Sequence, residues 1–293
     1  MEYPGVLCKV QFAEGVGYSA IHPWPELGDN GLEDQLSSLK DGKIDEQLKV
    51  VLNWAKTDAV LRSLNKNAFM GLKIPESHYF MTSTNTAELV GKEKCKIKVG
   101  RDAIAEAAKL TSIAREYPQL IWRLDANAKF SFAQARAFLR LLPDFLLEKI
   151  EFFEDPCPFN VDHWRDLSAQ VSVALDREFH VWESTLSSKQ DLSIHTLVLK
   201  PEVQDVEKLV EKYAMYFNQL VVTSYLGHPL GQRWAAYRAA LLAQKYRVGV
   251  CGLNSQNAFL PNAFSEQPLD VVGCGLGFDS LLSGLQWENF CEI

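Results

Sequence analysis

The chain has no stretch approaching the ~20 uninterrupted apolar residues of a membrane helix. Its first residues, Met1-Glu2-Tyr3-Pro4, show no basic stretch followed by an apolar one, so no membrane partner and a cytoplasmic location are expected. Positive charge is not in excess. Thirty Lys and Arg stand against 37 Asp and Glu, a net charge of −7, which argues against nucleic acid as a partner. Cysteine is sparse and scattered: Cys8, Cys95, Cys157, Cys251, Cys274 and Cys291 form no Cys-x-x-Cys and have no histidine at zinc-ligand spacing. Reduced, mostly buried thiols are expected. Low-complexity tracts, Gly/Ser linkers and fixed-period repeats are absent, and the six histidines are too dispersed to suggest a Ser-His-Asp or Cys-His set. What remains is a chain of 293 residues, 47 % hydrophobic, able to bury a full core.

From about residue 77 to 260, short β-branched or aromatic runs alternate with longer helical patterns. The runs are 78–81, 95–99, 120–124, 150–153, 171–175, 196–199, 220–223 and 247–250. Between them, segments such as 101–115 and 132–142 carry apolar residues at helical spacing. Strands alternating with helices argue for a parallel sheet, and eight such units for an α/β protein with a (β/α)8-type barrel over 77–275. A doubly wound open sheet is the rival. Charged residues at the C-terminal ends of successive strands, where a barrel keeps its active site, favour the barrel. Residues 1–76 read as an α+β piece: strands over 6–12 and 15–21, then helices over 32–39 and 44–64. The second helix has Leu48, Val51, Leu52, Ala55 and Ala59 on its apolar face. The end, 276–293, is expected to return and complete this piece, and Gly273-Cys274-Gly275-Leu276-Gly277 reads as a turn, not a phosphate loop.

Asp125, Glu154 and Asp176 each follow one of three consecutive apolar runs, 29 and 22 residues apart. A single acidic residue after a strand is usually a helix cap. Three in successive units would surround one point near a barrel axis, where a hard cation such as Mg²⁺ supplies the counter-charge. Lys96 and Lys98 share a strand face by the period-2 rule, opposite Cys95, Ile97 and Val99. Lys200 ends the sixth run, so Lys98 and Lys200 would flank the site from opposite sides. That arrangement suits proton removal next to the carboxylate of a small-molecule substrate. Burial beside other cations would lower a lysine pKa toward that of a base.

In this order, Lys96-Ile97-Lys98, Asp125-Ala126-Asn127, Glu154-Asp155-Pro156, Asp176 and Leu199-Lys200-Pro201 resemble the enolase superfamily, specifically its muconate lactonizing enzyme subgroup, over essentially the whole chain. The resemblance implies a TIM-like modified barrel with an N-terminal α+β capping domain. It implies Mg²⁺, with Mn²⁺ as the alternative, held by Asp125, Glu154 and Asp176. It implies Lys98 as the base, Lys200 as a cation facing the opposite side of the enolate, Lys96 as support for the substrate carboxylate or as a group that tunes Lys98, and Asn127 as a polar neighbour. Within the subgroup the chain is most similar to dehydratases that eliminate water from a hydroxycyclohexadiene carboxylate. Racemases and epimerases carry the same lysines and ligands, and an inactive barrel used for binding is a further alternative. Two segments depart from the subgroup's pattern: Asp176-Arg177-Glu178 replaces Asp-Glu-Ser, and Thr223-Ser224-Tyr225 follows the seventh run. Thr223 and Ser224 are candidate substrate contacts. Gly252 and Leu253 either offer a backbone amide to a distal carboxylate or form a plain turn. The stretch Gly17 to Pro25 looks like the loop that closes over substrate, with Trp24 as a cover and His22 and His228 as candidate rim residues.

Overall fold

The computed structural model describes residues 4–82, 85–186, 194–269 and 273–292. Residues 1–3 and Ile293, at the two ends of the expected cap, lie outside the described residues. Strands β1 (Val6–Phe12) and β2 (Gly15–Ile21) form an antiparallel hairpin. Two helices follow, α1 (Leu32–Lys40) and α2 (Glu46–Ser63), the latter capped by the Asp45 side chain on Leu48 N. Ile21, Leu39, Leu48 and Val51 close a small core of their own. The hairpin lies so near α2 that a Cβ on Gly17 would stand 1.9 Å from the Ala55 carbonyl oxygen, so no larger residue fits there. The C-terminal segment packs against this unit. Asp58 on α2 accepts Leu276 N at 2.7 Å and Tyr18 N at 2.9 Å, and Trp287 packs 5.5 Å from the Tyr18 ring.

The rest is a parallel sheet whose strands pair in sequence order: β3 (Tyr79–Met81), β4 (Lys94–Lys98), β5 (Ile121–Asp125), β6 (Ile150–Glu154), β7 (Val173–Leu175), β8 (Thr196–Leu199) and β9 (Gln219–Val222). Helices α3 (Ala103–Glu116), α4 (Phe132–Leu141), α5 (Asp144–Leu147), α6 (Val161–Ser168), α7 (Phe179–Thr185), α8 (Val206–Tyr213) and α9 (Pro229–Ala243) fill the crossovers. Only a short 3-10 turn, Thr86–Leu89, lies in the described part of the β3 to β4 connection. A last short helix, α10 (Asp279–Ser283), belongs to the returning segment.

The eighth run corrects the sequence reading, because 247–252 is not a regular strand. Isolated bridges join it to β9 on one side (Leu220 with Val248, Thr223 with Gly252) and to Ser77 before β3 on the other (Ser77 with Cys251). Gly252 N donates to Val222 O at 2.9 Å and His78 N to Cys251 O at 2.9 Å, so the two sheet edges are tied into a closed ring. Glycine admits the close fit: a Cβ on Gly249 would stand 2.6 Å from Gln219 Oε1. Inside the ring Phe152, Ala174, Val198 and Val221 pack as an apolar floor, while the outward strand faces pack on the helices. The site lies above that floor. Among the described residues no helix is long and apolar enough to cross a membrane.

Candidate active site

Strand register builds the site. Lys98 pairs with Asp125 across β4 and β5, and Asp125 with Glu154 across β5 and β6, so these side chains share one level at the C-terminal end of the sheet. Asp176 and Lys200 directly follow β7 and β8. The chain thus lines a pocket of about 630 Å³ with Lys96, Lys98, Asp125, Asn127, Glu154, Asp176, Lys200, Thr223, Ser224 and Gly252. Lys96 lies 2.8 Å from both Glu154 oxygens and 2.9 Å from Asp125 Oδ2. Lys200 pairs with Asp176 and stands 5.8 Å over the Tyr225 ring. Lys98 makes no ion pair among the described residues and stands 5.9 Å over Phe80, at the open side of the pocket.

Charge balance follows from these contacts. Burial opposes the Lys96 ammonium, but Asp125 and Glu154 outweigh it and raise its pKa. Lys200 is raised in the same way by Asp176 and Glu154. Lys98 is lowered, first by desolvation and then by Lys96 and Lys200, with Asp125 opposing. Glu154 is pushed up by burial and by Asp125, although Lys96 bonds it, whereas Asp125 is held below its ordinary value by Lys96 and Lys98 against its burial.

The backbone beneath is strained. Asn127, Ala128 and Asp155, directly beyond β5 and β6, have φ of 48°, 56° and 39°, in the left-handed region that costs non-glycine residues about 1–3 kcal/mol each. Asp155 is buried and accepts Asp176 N at 3.1 Å and Arg177 N at 2.7 Å, which fixes the turn carrying Asp176.

The expected meeting of three carboxylates at one point is not what the structure shows. Among the described residues no three His, Cys, Asp or Glu side chains converge to hold a metal ion, because the Lys96 and Lys200 ammoniums stand among the carboxylates as counter-charges. The donor set nevertheless fits Mg²⁺. Three buried carboxylates supply hard oxygens, and Asp125 and Glu154 share a single ammonium while Glu154 stays raised, so a further cation is electrostatically favoured.

Leu253 falls outside the pocket. Its amide donates to Ser77 Oγ at 2.7 Å and that of Gly252 to Val222 O at 2.9 Å, so neither amide is free for a carboxylate. His22 and His228 line a separate cavity of about 370 Å³ between cap and barrel. Trp24 is buried, with Nε1 donating to Leu226 O at 2.6 Å, and Leu27 of the same loop lines the pocket instead. Glu178 turns away to accept Phe159 N at 2.7 Å. Seven lining residues were not anticipated: Leu27, His78, Phe80, Tyr225, Leu226, Asn254 and Ser255. The period-2 rule carried a signal for two of them, since His78 and Phe80 share a face of the first barrel run.

A cap on a closed parallel barrel, with lysines and carboxylates at the strand ends, is the architecture of an enolase-superfamily enzyme. Residues 1–61 match the family model "O-succinylbenzoate synthase, N-terminal domain" and residues 84–192 the model "Enolase C-terminal domain-like". The chain is 33 % identical over 303 residues to the o-succinylbenzoate synthase of Bdellovibrio bacteriovorus, covering 97 % of this chain and 90 % of that protein. Its fold is similar to a dipeptide epimerase from Enterococcus faecalis V583, with TM-score 0.75, 16 % identity and 93 % of each chain covered. It is also similar to the Mg-complexed o-succinylbenzoate synthase of Thermosynechococcus elongatus BP-1, with TM-score 0.63, 19 % identity and 86 % of each chain covered. The chain belongs to the o-succinylbenzoate synthase family of the enolase superfamily.

Proposed function

We propose that the protein is a Mg²⁺-dependent dehydratase that eliminates water, in the syn sense, from 2-succinyl-6-hydroxy-2,4-cyclohexadiene-1-carboxylate to give o-succinylbenzoate, a step of menaquinone biosynthesis. The observation that carries this reading is the likeness to a synthase of that name over 97 % of the chain. The site chemistry agrees with it. Asp125, Glu154 and Asp176 would hold the ion, which when bound supplies positive charge to the substrate carboxylate as the α-proton leaves. Lys98, without an ion pair among the described residues and lowered in pKa, takes that proton as a neutral amine. Lys200 faces the substrate from across the ring as an ammonium and stabilises negative charge without accepting a proton. The C–O bond then breaks, the Lys98 ammonium returns the proton to the leaving hydroxide as water, and the ring becomes aromatic.

A racemase is the second reading, favoured by the opposed lysines. It requires each lysine to be a base in turn, and the Asp176 pairing that keeps Lys200 charged fits this less well. The test is ultraviolet-monitored consumption of the cyclohexadiene by the protein with Mg²⁺. Lys98→Ala is expected to lose about 10²–10⁴-fold in kcat, and EDTA to abolish activity reversibly. No turnover by the Mg²⁺-loaded wild type would remove the dehydratase reading. Deuterium exchange at the α-carbon of N-acylamino acids would then support the racemase.

A further inference from the structure

His78 lies at the entry to β3, buried, on the pocket side of the barrel. Arg123 Nη1 stands 2.9 Å from His78 Nδ1 and 2.6 Å from Val250 O. A guanidinium has only donors, so Nδ1 is the acceptor and the ring proton sits on Nε2. A flipped ring would set a C–H against the guanidinium and leave a buried donor poorly paired. Arg123 cannot swing aside, since it is fully buried, bonded through Nε to Glu151 at 2.8 Å and stacked 4.7 Å from the Phe152 ring. Burial, with Arg123, Lys96 and Lys94 nearby, keeps the imidazole neutral.

Nε2–H has no partner among the described residues. Beside it, Thr223 Oγ1 is buried and also without one. A Cβ on Gly252 would stand 2.8 Å from His78 Cε1 and 3.1 Å from Nε2, so glycine at this position opens the approach to that N–H.

We infer that His78 is a substrate-binding residue, a tautomer-locked neutral donor whose Nε2–H bonds a carbonyl or carboxylate oxygen at the end of the substrate away from the reacting carbon. Its wall, between β3 and the 247–252 segment, lies across the ring from Glu154 and Asp176, so a substrate anchored at the carboxylates reaches it only with its far end. The inference rests on the dehydratase reading for the identity of that substrate. The chain uses the positive charge of Arg123 to fix a proton position and not to contact substrate.

Three measurements on the Mg²⁺-loaded full chain test this. Nitrogen-15 spectra of histidine-labelled wild type should show a neutral Nε2–H tautomer for His78, with the resonance moving when the product o-succinylbenzoate is added. His78→Asn, which keeps an acceptor for Arg123 but removes the far donor, should raise KM and the calorimetric Kd for product by about 10-fold or more, with kcat within about 3-fold. His78→Gln, whose amide reaches toward the Nε2 position, should recover part of that loss. A proton on Nδ1, a product-insensitive resonance, or an unchanged KM and Kd in His78→Asn would overturn the inference. The spectra and the binding need no turnover. A wild type that binds product through His78 but does not dehydrate would therefore sink the functional reading alone, and one that does not bind product would sink both.

Discussion

At the scale of single residues, an unusual group outside the proton-transfer chemistry is Glu202, two positions beyond Lys200. It is buried, its Oε1 accepts Tyr225 N at 2.9 Å, and its Oε2 has no partner among the described residues. Burial pushes its pKa up to about 8, against the opposing Tyr225 amide and Lys200. The folded state therefore keeps a proton that the unfolded chain releases near pH ~4.3. The stability this group contributes is complete below that value, is lost as pH rises toward about 8, and changes no further above it. Glu202→Gln, neutral at every pH, should exceed the wild type in unfolding free energy by only about 1 kcal/mol near pH 5 and by up to a few kcal/mol at pH 8. Urea titrations at pH 5, 6.5 and 8 measure this. Parallel pH dependences of wild type and mutant would show that Glu202 ionises normally. The sequence carried no hint of this group, because its burial comes from a tertiary contact with the cavity between cap and barrel.

At the scale of elements, the strands from Lys94–Lys98 to Gln219–Val222 were readable because each is an apolar run ended by a functional or turn residue. The shared face of Lys96 and Lys98 followed from period 2, and its inward direction from the apolar Cys95, Ile97 and Val99 opposite, which pack on the helices. Two features were not readable. The 247–252 segment has strand-like composition but joins its neighbours through single bridges, a matter of packing against Gln219 and Thr223 that no local pattern encodes. The pairing of Lys96 with Asp125 and Glu154 depends on the register of three strands distant in sequence. Gly17 illustrates the same limit. In sequence it is a weak residue inside a strand, yet in the fold it is the point where the hairpin meets α2. A Cβ there would lie 1.9 Å from Ala55 O and 2.7 Å from Ala59 N, both backbone atoms that cannot rotate away. Gly17→Ala should therefore destabilise the protein by about 3 kcal/mol, seen as a lower urea midpoint. A midpoint equal to wild type would mean that hairpin and helix separate at little cost.

At the scale of the whole molecule, the cap reaches the active site through the loop between β2 and α1, and side-chain hydrogen bonds tie that loop to the barrel. Trp24 Nε1 donates to Leu226 O at 2.6 Å, Tyr225 OH donates to Asp29 Oδ2 at 2.8 Å, and Arg177 Nη2 donates to Leu27 O at 3.0 Å. Leu27 lines the pocket, so the Arg177 contact is the one that directly sets the position of a pocket wall. Arg177 occupies the position where the subgroup usually carries glutamate, next to Asp176. What reads as a departure in sequence is, in the fold, a fastening between two parts of the molecule. Its side chain makes no ion pair among the described residues, so removing it breaks the loop contact and leaves no buried carboxylate orphaned. Arg177→Ala is accordingly expected to raise KM several-fold, to speed proteolytic cleavage within residues 22–31, and to change global stability by less than about 1 kcal/mol. Magnesium affinity should stay near wild type, because the turn bearing Asp176 is held by the Asp155 carboxylate through backbone amides that the substitution retains. Steady-state kinetics together with timed proteolysis separate the outcomes. A raised KM with unchanged cleavage would place Arg177 in direct contact with substrate, and no change in either would show that Trp24 and Tyr225 hold the loop without it.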